Sequence, residues 1–466
     1  MTREVRLTLI GVLTGLFLAA LDQTVTATSL PQTLTDLGGR NWYGWVGALY
    51  LLGSTIAAPI AGRLTEIISR REVLIGALGL FGVGSFMCGA SIHFSQLLMF
   101  RFIQGLGGGA LFSLAFTTLA WFFPPRERSR WAGLIGALFG VAGALGPLLG
   151  GLITENIGWR WIFWVNLPFL LFAITFVYRF FPLQKASEKT PMDIKGALLM
   201  ALWTTPLLLA FLFWGPKRLG SPVWGLILLG ISILLLRSWI RVERHQAAPL
   251  FDLRLVEIPT FRYAALAAFF FGAIFLAGVT FFPLYLQGVL GYSPRQSGML
   301  LLAFTVGAVL STGATGAWVS RHGRYKPILL GSAIALTLTF SLVAIFLPSQ
   351  ISVYALLAGM VGIALLLGPF QALLSVVGQN DIPQPRIGSA TSAIQFMRQV
   401  GSTVGLAVVN MLYAANLYAS IPPSEALLKG IQGVVWGMAG LGSLLCGAVF
   451  LLPDRLLSRT HSSVRA

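Results

Sequence analysis

Three ionisable residues interrupt long apolar stretches of this chain: Asp22, Arg101 and Arg398. A charge at the centre of a bilayer costs about 3 kcal/mol even on lenient insertion scales, so it is expected to face a cavity or a partner. Burial favours the neutral form of a carboxyl, and a neighbouring guanidinium favours the ionised form. A carboxylate whose partner moves could therefore load and release a proton. Asp22 is the candidate proton carrier, with Arg101 and Arg398 as the cations that tune it. The alternative for Asp22 is a permanently paired group that fixes its helix, and for Arg101 a side chain that snorkels to the interface. Asp22 lies 15 residues beyond Leu7, roughly 22 Å along a helix that rises ~1.5 Å per residue, so either arginine is at a compatible depth. Gln104, Gln371, Gln395 and Asn410 also fall in apolar runs. They are candidates for the wall of a central cavity, or else for hydrogen bonds between helices.

Other chemistries find little material. His93, His245, His322 and His461 fall in predicted loops or the tail, and Cys88 and Cys446 sit far apart in apolar runs. No metal, haem or disulfide framework is expected from such spacing. The expected coupling ion is the proton, with no cofactor.

The elements that must position these residues follow from composition. The 466 residues are 56% hydrophobic and only 10% charged, with a mean hydropathy of +0.81. A soluble chain of this length needs more charge to cover its surface. Many separate apolar runs reach the ~20 residues that cross a bilayer core as a helix. Each span must satisfy its own backbone hydrogen bonds, which predicts helices throughout; a transmembrane barrel would show short alternating segments instead. Fourteen spans are predicted, at 7–30, 42–62, 73–92, 97–121, 131–154, 161–181, 194–214, 223–240, 262–287, 296–318, 327–347, 351–378, 388–415 and 430–452. The first apolar run continues past Asp22 to Leu30 and is read as a span, not a cleaved leader.

A net charge of +17 could suggest nucleic acid, but the basic residues sit in short loops between apolar runs. Of the 32 Lys and Arg, six fall on the side opposite the termini: Arg40, Arg160, Lys217, Arg218, Arg295 and Lys429. Arg101 and Arg398 lie within spans, which leaves 24 on the side of the termini. That asymmetry predicts a multi-pass protein of the cell (plasma or inner) membrane with both termini in the cytoplasm.

The chain also repeats itself. Gly62-Arg-Leu-Thr-Glu66-Ile-Ile-Ser-Arg70-Arg71 follows the second span, and Gly316-Ala-Trp-Val-Ser-Arg321-His-Gly-Arg324-Tyr-Lys326 follows the tenth. Eight spans separate them, so the two halves share one orientation, as in a transporter built from parallel six-helix repeats. The predicted domains are residues 1–181 as an N-terminal six-helix bundle and 262–466 as a C-terminal one. Residues 182–261 hold two inserted membrane helices and an amphipathic, proline-punctuated linker.

Several segments, in order, resemble the fourteen-span drug:proton antiporters of the major facilitator superfamily. Leu21-Asp22-Gln-Thr-Val-Thr-Ala-Thr-Ser-Leu-Pro31 is similar to the family's first-span motif, and Arg101-Phe-Ile-Gln104-Gly105-Leu-Gly107-Gly-Gly-Ala110 to its fourth-span motif. Gly133, Ala142, Gly146-Pro147 and Gly150-Gly151 match the spacing of the fifth-span antiporter motif, and Gly158-Trp-Arg-Trp-Ile-Phe-Trp-Val-Asn166-Leu-Pro168 resembles the segment after it. Phe396-Met-Arg398 lies in a segment resembling the family's thirteenth span. The loop motif departs from the pattern: Glu66, Ile67 and Ser69 stand where the family carries Asp, Arg and Gly, although Arg70 and Arg71 remain. Independently of any family, the small residues of the fifth span allow close helix approach, and Pro147 removes a helix hydrogen bond.

The resemblance implies proton-driven export. The expected partners are the lipid bilayer and a small hydrophobic or amphiphilic substrate, with no nucleic acid and a monomeric chain. A lipid or lipid-like flippase on the same scaffold is the alternative. An integral-membrane enzyme would need a clustered His, Asp or Ser constellation near an interface, which the sequence lacks.

Overall fold

In the computed structural model, the described residues are 2–38, 43–182, 193–212, 222–246, 249–292, 294–347, 351–383, 386–417 and 423–458. They are helical, with no strand among them. In chain order the helices are α1 (Arg3–Leu37), α2 (Tyr43–Ile67), α3 (Arg70–Gly89), α4 (Phe94–Phe122), α5 (Pro125–Asn156), α6 (Trp161–Trp164) and α7 (Asn166–Phe180). Then come α8 (Ile194–Leu212), α9 (Pro222–His245), α10 (Pro259–Leu284), α11 (Pro294–His322), α12 (Lys326–Phe346), α13 (Val353–Gly378), α14 (Ile387–Leu417) and α15 (Pro423–Phe450).

Their ends follow local chemistry. Gln96 folds back on α4, its Oε1 accepting from the Ile92 and His93 amides at 3.0 and 3.3 Å, and Ser352 Oγ accepts from Ala355 N at the start of α13. Prolines occupy the first turns of α5, α10 and α12, where a missing amide costs nothing. Pro283 near the end of α10 leads into a wider turn over Tyr285–Val289, as expected where a ring removes a helix bond.

Twelve of the described helical stretches are long and apolar enough to cross a membrane, with α6 and α7 counted as one. Two of the fourteen predicted spans fall short of that description. In α8 the apolar stretch Ile194–Ala210 is shorter, while α14 carries Ser389, Thr391, Ser392, Gln395, Arg398, Gln399, Ser402 and Thr403 along its first half. The predicted linker is also less polar than it reads: Leu250, Phe251 and Leu255 are buried around a short 3-10 turn, Leu253–Glu257. Of the six basic residues predicted opposite the termini, Arg40, Lys217 and Arg218 lie outside the described residues, as do the side chains of Arg295 and Pro147.

Packing sorts the helices into two groups and a pair. In the first group α1 packs on α5 and α7, α2 on α4, and α3 on α4 and α7. In the second, α10 packs on α13, α14 and α15, α12 on α15, and α11 on α13. The groups meet where α5 lies against α11 and α13, and where α14 lies against α2 and α4. Helices α8 and α9 pair with each other, and α8 leans on α2 and α14.

Both ends of the described chain reach one face. Gly11 in α1 packs against Val177 near the end of α7, and Phe181 just beyond stacks on Trp121 at the end of α4. The carbonyl of Ser458 accepts from the amide of Arg126 at the start of the next helix, α5.

Candidate functional site

Asp22 sits a little past the middle of α1 and is 2% exposed. Arg101, two turns into α4, turns inward and donates from Nη1 to Asp22 Oδ2 at 2.5 Å. The same nitrogen donates to Gln104 Oε1 at 2.6 Å, and Gln104 Nε2 returns a bond to Asp22 Oδ1 at 2.8 Å. Three side chains from two helices thus close a ring around one carboxylate. The one-turn spacing of Arg101 and Gln104 places both on the same face of α4, which lets them grip the two carboxylate oxygens together.

A further layer holds the ring. Gln104 Nε2 also donates to Ser85 Oγ of α3 at 2.8 Å, and Ser85 Oγ accepts from Asn166 Nδ2 at the start of α7 at 3.2 Å. The Arg101 guanidinium lies over the Tyr50 ring, 4.5 Å from its centroid, and Tyr50 donates its hydroxyl to the Ala19 carbonyl. Asp22, Arg101, Gln104, Ser85, Asn166 and Tyr50 are all buried. Glycine makes this close approach feasible: a β-carbon on Gly84 would run into the backbone of Gln104, and one on Gly105 into the carbonyl of Tyr50. The predicted triad is therefore split. Arg101 meets Asp22, whereas Arg398 lies elsewhere, and the sequence reading missed Tyr50 and Ser85 entirely. Asn166 was visible only as part of the segment Gly158–Pro168.

Arg398 belongs to α14 and reaches across the boundary between the helix groups. Its guanidinium lies 4.2 Å from the centroid of Phe112 in α4, while Nη1 donates to Gln371 Oε1 of α13 at 3.2 Å. Gln399, the next residue, accepts from Thr55 Oγ1 of α2 at 2.9 Å. Gln395 is buried and donates to Ser375 Oγ at 2.9 Å, so it is placed between α13 and α14. Asn410 is half-buried near the other end of α14.

The two loop motifs lie at the face reached by both chain ends, and each meets the opposite helix group. Glu66 at the end of α2 accepts from Ser389 N at 2.9 Å and Ser389 Oγ at 2.8 Å in the first turn of α14. Its other oxygen pairs with Arg63 at 2.5 Å. A carboxylate at a helix N-terminus meets unpaired amides and the positive end of the macrodipole. On the other side of the molecule Ser320, at the end of α11, accepts through its carbonyl from Arg126 Nε at the start of α5, at 2.6 Å. Ser129 Oγ donates to the Gly316 carbonyl at 3.1 Å, and Arg128 Nη1 donates to Gln379 Oε1 at 3.2 Å. Arg70 and Arg71 lie over the rings of Trp121 and Tyr178 within the first group, and Arg321 and Arg324 are exposed.

The small residues of α5 serve two different neighbours. Gly133, Gly136 and Gly140 lie against Thr312 and Val309 of α11, across the group boundary. Gly146 and Gly150 lie against Thr24, Thr28 and Val25 of α1, within the first group. Thr24 Oγ1 donates to the Ala142 carbonyl at 3.0 Å, which ties the helix carrying Asp22 directly to α5. A β-carbon on Gly151 would meet nothing within 4 Å, so no contact demands glycine there.

Residues 12–406 match the family described as Major Facilitator Superfamily. The chain is 28% identical over 407 residues to the multidrug transporter protein MdtP of Bacillus subtilis (strain 168), covering 87% of this chain and 75% of that protein. It is 29% identical over 425 residues to multidrug resistance protein 3 of the same organism, covering 91% and 82%. It is 30% identical over 470 residues to the efflux pump dotC of Dothistroma septosporum, covering 98% and 79%. Among solved structures, the human organic anion transporter MFSD10 (TETRAN) superposes with a TM-score of 0.66 at 17% identity, covering 97% of this chain and all of that one.

Proposed function

The chain belongs to the major facilitator superfamily, and on that premise we propose that it exports hydrophobic or cationic amphiphilic compounds in exchange for protons by alternating access. It is a multi-pass membrane transporter, not an enzyme. The observation that carries the coupling proposal is the closed ring of Asp22, Arg101 and Gln104 in a buried interior. A carboxylate there changes its charge only if its partners move or a proton arrives. Arg101 Nε is buried without a hydrogen-bond partner among the described residues, so the ring holds a spare donor as it rearranges.

The chain reads as a member of the fourteen-span drug:proton antiporters, with bundles 1–181 and 262–466 and an inserted pair between them. On this reading α8 and α14 cross the membrane along with the twelve more apolar stretches, and both termini are cytoplasmic. The contacts of Arg398 with Gln371 and Phe112 on other helices support it, since α14 can tolerate its polar residues only where they face other helices. The bonds that join the helix groups at the face of the termini fit a transporter closed toward the cytoplasm. Scarcity of buried acids near the centre argues for substrates held chiefly by apolar contact, with few polar anchors.

The test is transport in proteoliposomes under an imposed pH gradient, with lipophilic cations and fluorescent lipids compared side by side. Gradient-driven, saturable movement of the cations is expected, and Asp22→Asn should abolish it. Transport of lipids alone would favour the flippase. Near wild-type export by Asp22→Asn would move the proton site elsewhere.

A further inference from the structure

A second pair of acids lies far from Asp22, where the inserted helices join the rest of the molecule. Asp193 precedes α8 and caps it, its Oδ1 accepting from Gly196 N at 2.8 Å and from Gln246 Nε2 at 3.0 Å. Glu243 lies in the last turn of α9 and accepts through Oε2 from Phe251 N at 3.3 Å. Asp193 is 5% exposed and Glu243 is 2% exposed. One oxygen of each is left over: Asp193 Oδ2 and Glu243 Oε1 are buried and lie in hydrogen-bond geometry with no donor among the described residues, although the Trp239 side chain also acts on Glu243.

Those two oxygens point at the same place. A β-carbon on Gly196 would overlap Asp193 Oδ2 and would stand 2.6 Å from Glu243 Oε1. The oxygens are therefore within about 5 Å of each other, the range in which two carboxylates cannot both ionise cheaply. Among the described residues Asp193 is the charged group acting on Glu243. Lys195, Arg241, Arg244 and His245 on the same two helices are exposed, and Asp252 in the linker is engaged by Arg254 and Arg386. Among the described residues no cation answers the pair, and no group of three potential metal ligands occurs there.

We propose that Asp193 and Glu243 form a proton-binding site in which the two buried carboxyls share a single proton. One protonated oxygen donates to the other carboxylate, which satisfies both orphan atoms and leaves one negative charge, held by Gly196 N, Gln246 and Phe251 N. The site lies at a junction. Phe251, bonded to Glu243, meets the Trp239 ring at 5.8 Å and Phe396 at 6.4 Å, and Trp203 of α8 meets Phe396 at 5.8 Å. Phe396 stands two residues before Arg398 on α14, so the proton fastens the inserted pair to the helix that crosses between the groups. This site is independent of the proposed proton carrier Asp22 and stands whether or not the chain exchanges protons for substrate.

The experiment is infrared spectroscopy of the full chain in lipid nanodiscs at neutral pH, comparing wild type with Asp193→Asn and Glu243→Gln. Wild type should show a protonated-carboxyl C=O band that shifts in D2O, and both amide variants should move or abolish it, because each removes one of the two carboxyls that hold the proton. An unchanged band in either variant overturns the shared proton. Asp193→Glu retains two acids and should retain the band. Its loss from a monodisperse Asp193→Glu protein would overturn the proposal even where an amide variant fails to fold.

Discussion

Glu66 at the end of α2 and Ser389 in the first turn of α14 are joined by two hydrogen bonds, 2.9 Å from the Ser389 amide and 2.8 Å from its hydroxyl. The two residues are 323 apart in sequence and belong to different helix groups. A carboxylate that caps the other group's helix thus helps close this face, alongside the bonds of Arg126, Arg128 and Ser129 to the second group. Losing a cap of this kind costs about 0.5–2 kcal/mol, which is a roughly 2- to 30-fold change in an equilibrium. Glu66→Ala is expected to raise the reactivity of a cysteine placed at Ser392, which is buried beside Gly62, toward a thiol reagent applied at the face of the termini. Glu66→Gln should do so less, since it keeps an acceptor oxygen. Equal labelling of wild type and Glu66→Ala would remove the cap from any gating role.

The glycines separate cleanly by what surrounds them. A β-carbon on Gly62 would overlap the Ser392 side chain and lie 2.7 Å from the Gly388 carbonyl, while one on Gly146 would overlap Thr24. Gly62→Ala and Gly146→Ala should each lower thermal stability in detergent by an amount equivalent to about 1–3 kcal/mol, the usual penalty of overpacking. Gly151→Ala should be close to neutral, although it adjoins Gly150 in the same motif. Equal effects at Gly146 and Gly151 would contradict the packing described for α5.

Asp22 and Arg101 should behave as a unit. Removing one member of a buried pair strands the other charge, at a cost of about 3–5 kcal/mol, whereas replacing both with neutral groups is often tolerated. Asp22→Asn and Arg101→Met are each expected to lower the melting temperature, and the double variant to recover most of that loss. Gradient-driven transport should stay absent in the double variant. Strictly additive melting shifts would show that the two residues do not interact.

Arg398 has a ring as its cross-group contact. Stacking on an aromatic face is worth about 0.5–2 kcal/mol, so Phe112→Leu should weaken transport several-fold without unfolding the protein. Arg398→Lys should recover only part of the activity lost in Arg398→Ala, because an ammonium lacks the planar fork that stacks on Phe112 and reaches Gln371. Full rescue by lysine would reduce the requirement to charge alone.

The segment after α15 acts as a strap across the face of the termini. Leu457 is buried and donates its amide to the Gly323 carbonyl at 3.0 Å, Tyr325 donates its hydroxyl to the Pro453 carbonyl at 2.7 Å, and Ser458 bridges Asn380 to Arg126. Deleting the chain beyond Leu452 should lower thermal stability markedly. Arg455→Ala should cost under about 1 kcal/mol, because the Arg455–Asp381 pair is largely exposed. A truncated protein as stable as the full chain would show that these bonds contribute little.

The residues themselves determine the local part of this molecule. Long apolar runs with obligatory internal hydrogen bonding dictate helices, and Gln96, Ser352 and the first-turn prolines set several of their ends. Depth along a helix is also legible, which is how Asp22, Arg101 and Arg398 stand out as charges within apolar runs at compatible levels. Azimuth between helices is not legible, because periodicity says which face is apolar but not which neighbour covers it. Only the tertiary structure therefore decides that Arg101 closes on Asp22 across 79 residues while Arg398 turns to Phe112. The same holds for Glu66, whose loop reads as a turn until the start of α14 is brought beside it. Asp193 and Glu243 show the limit most plainly. Each looks like an ordinary charge at a helix end, and burial of both depends on Leu250 and Phe251 folding back over the junction of α8 and α9, a contact set by packing and not by spacing.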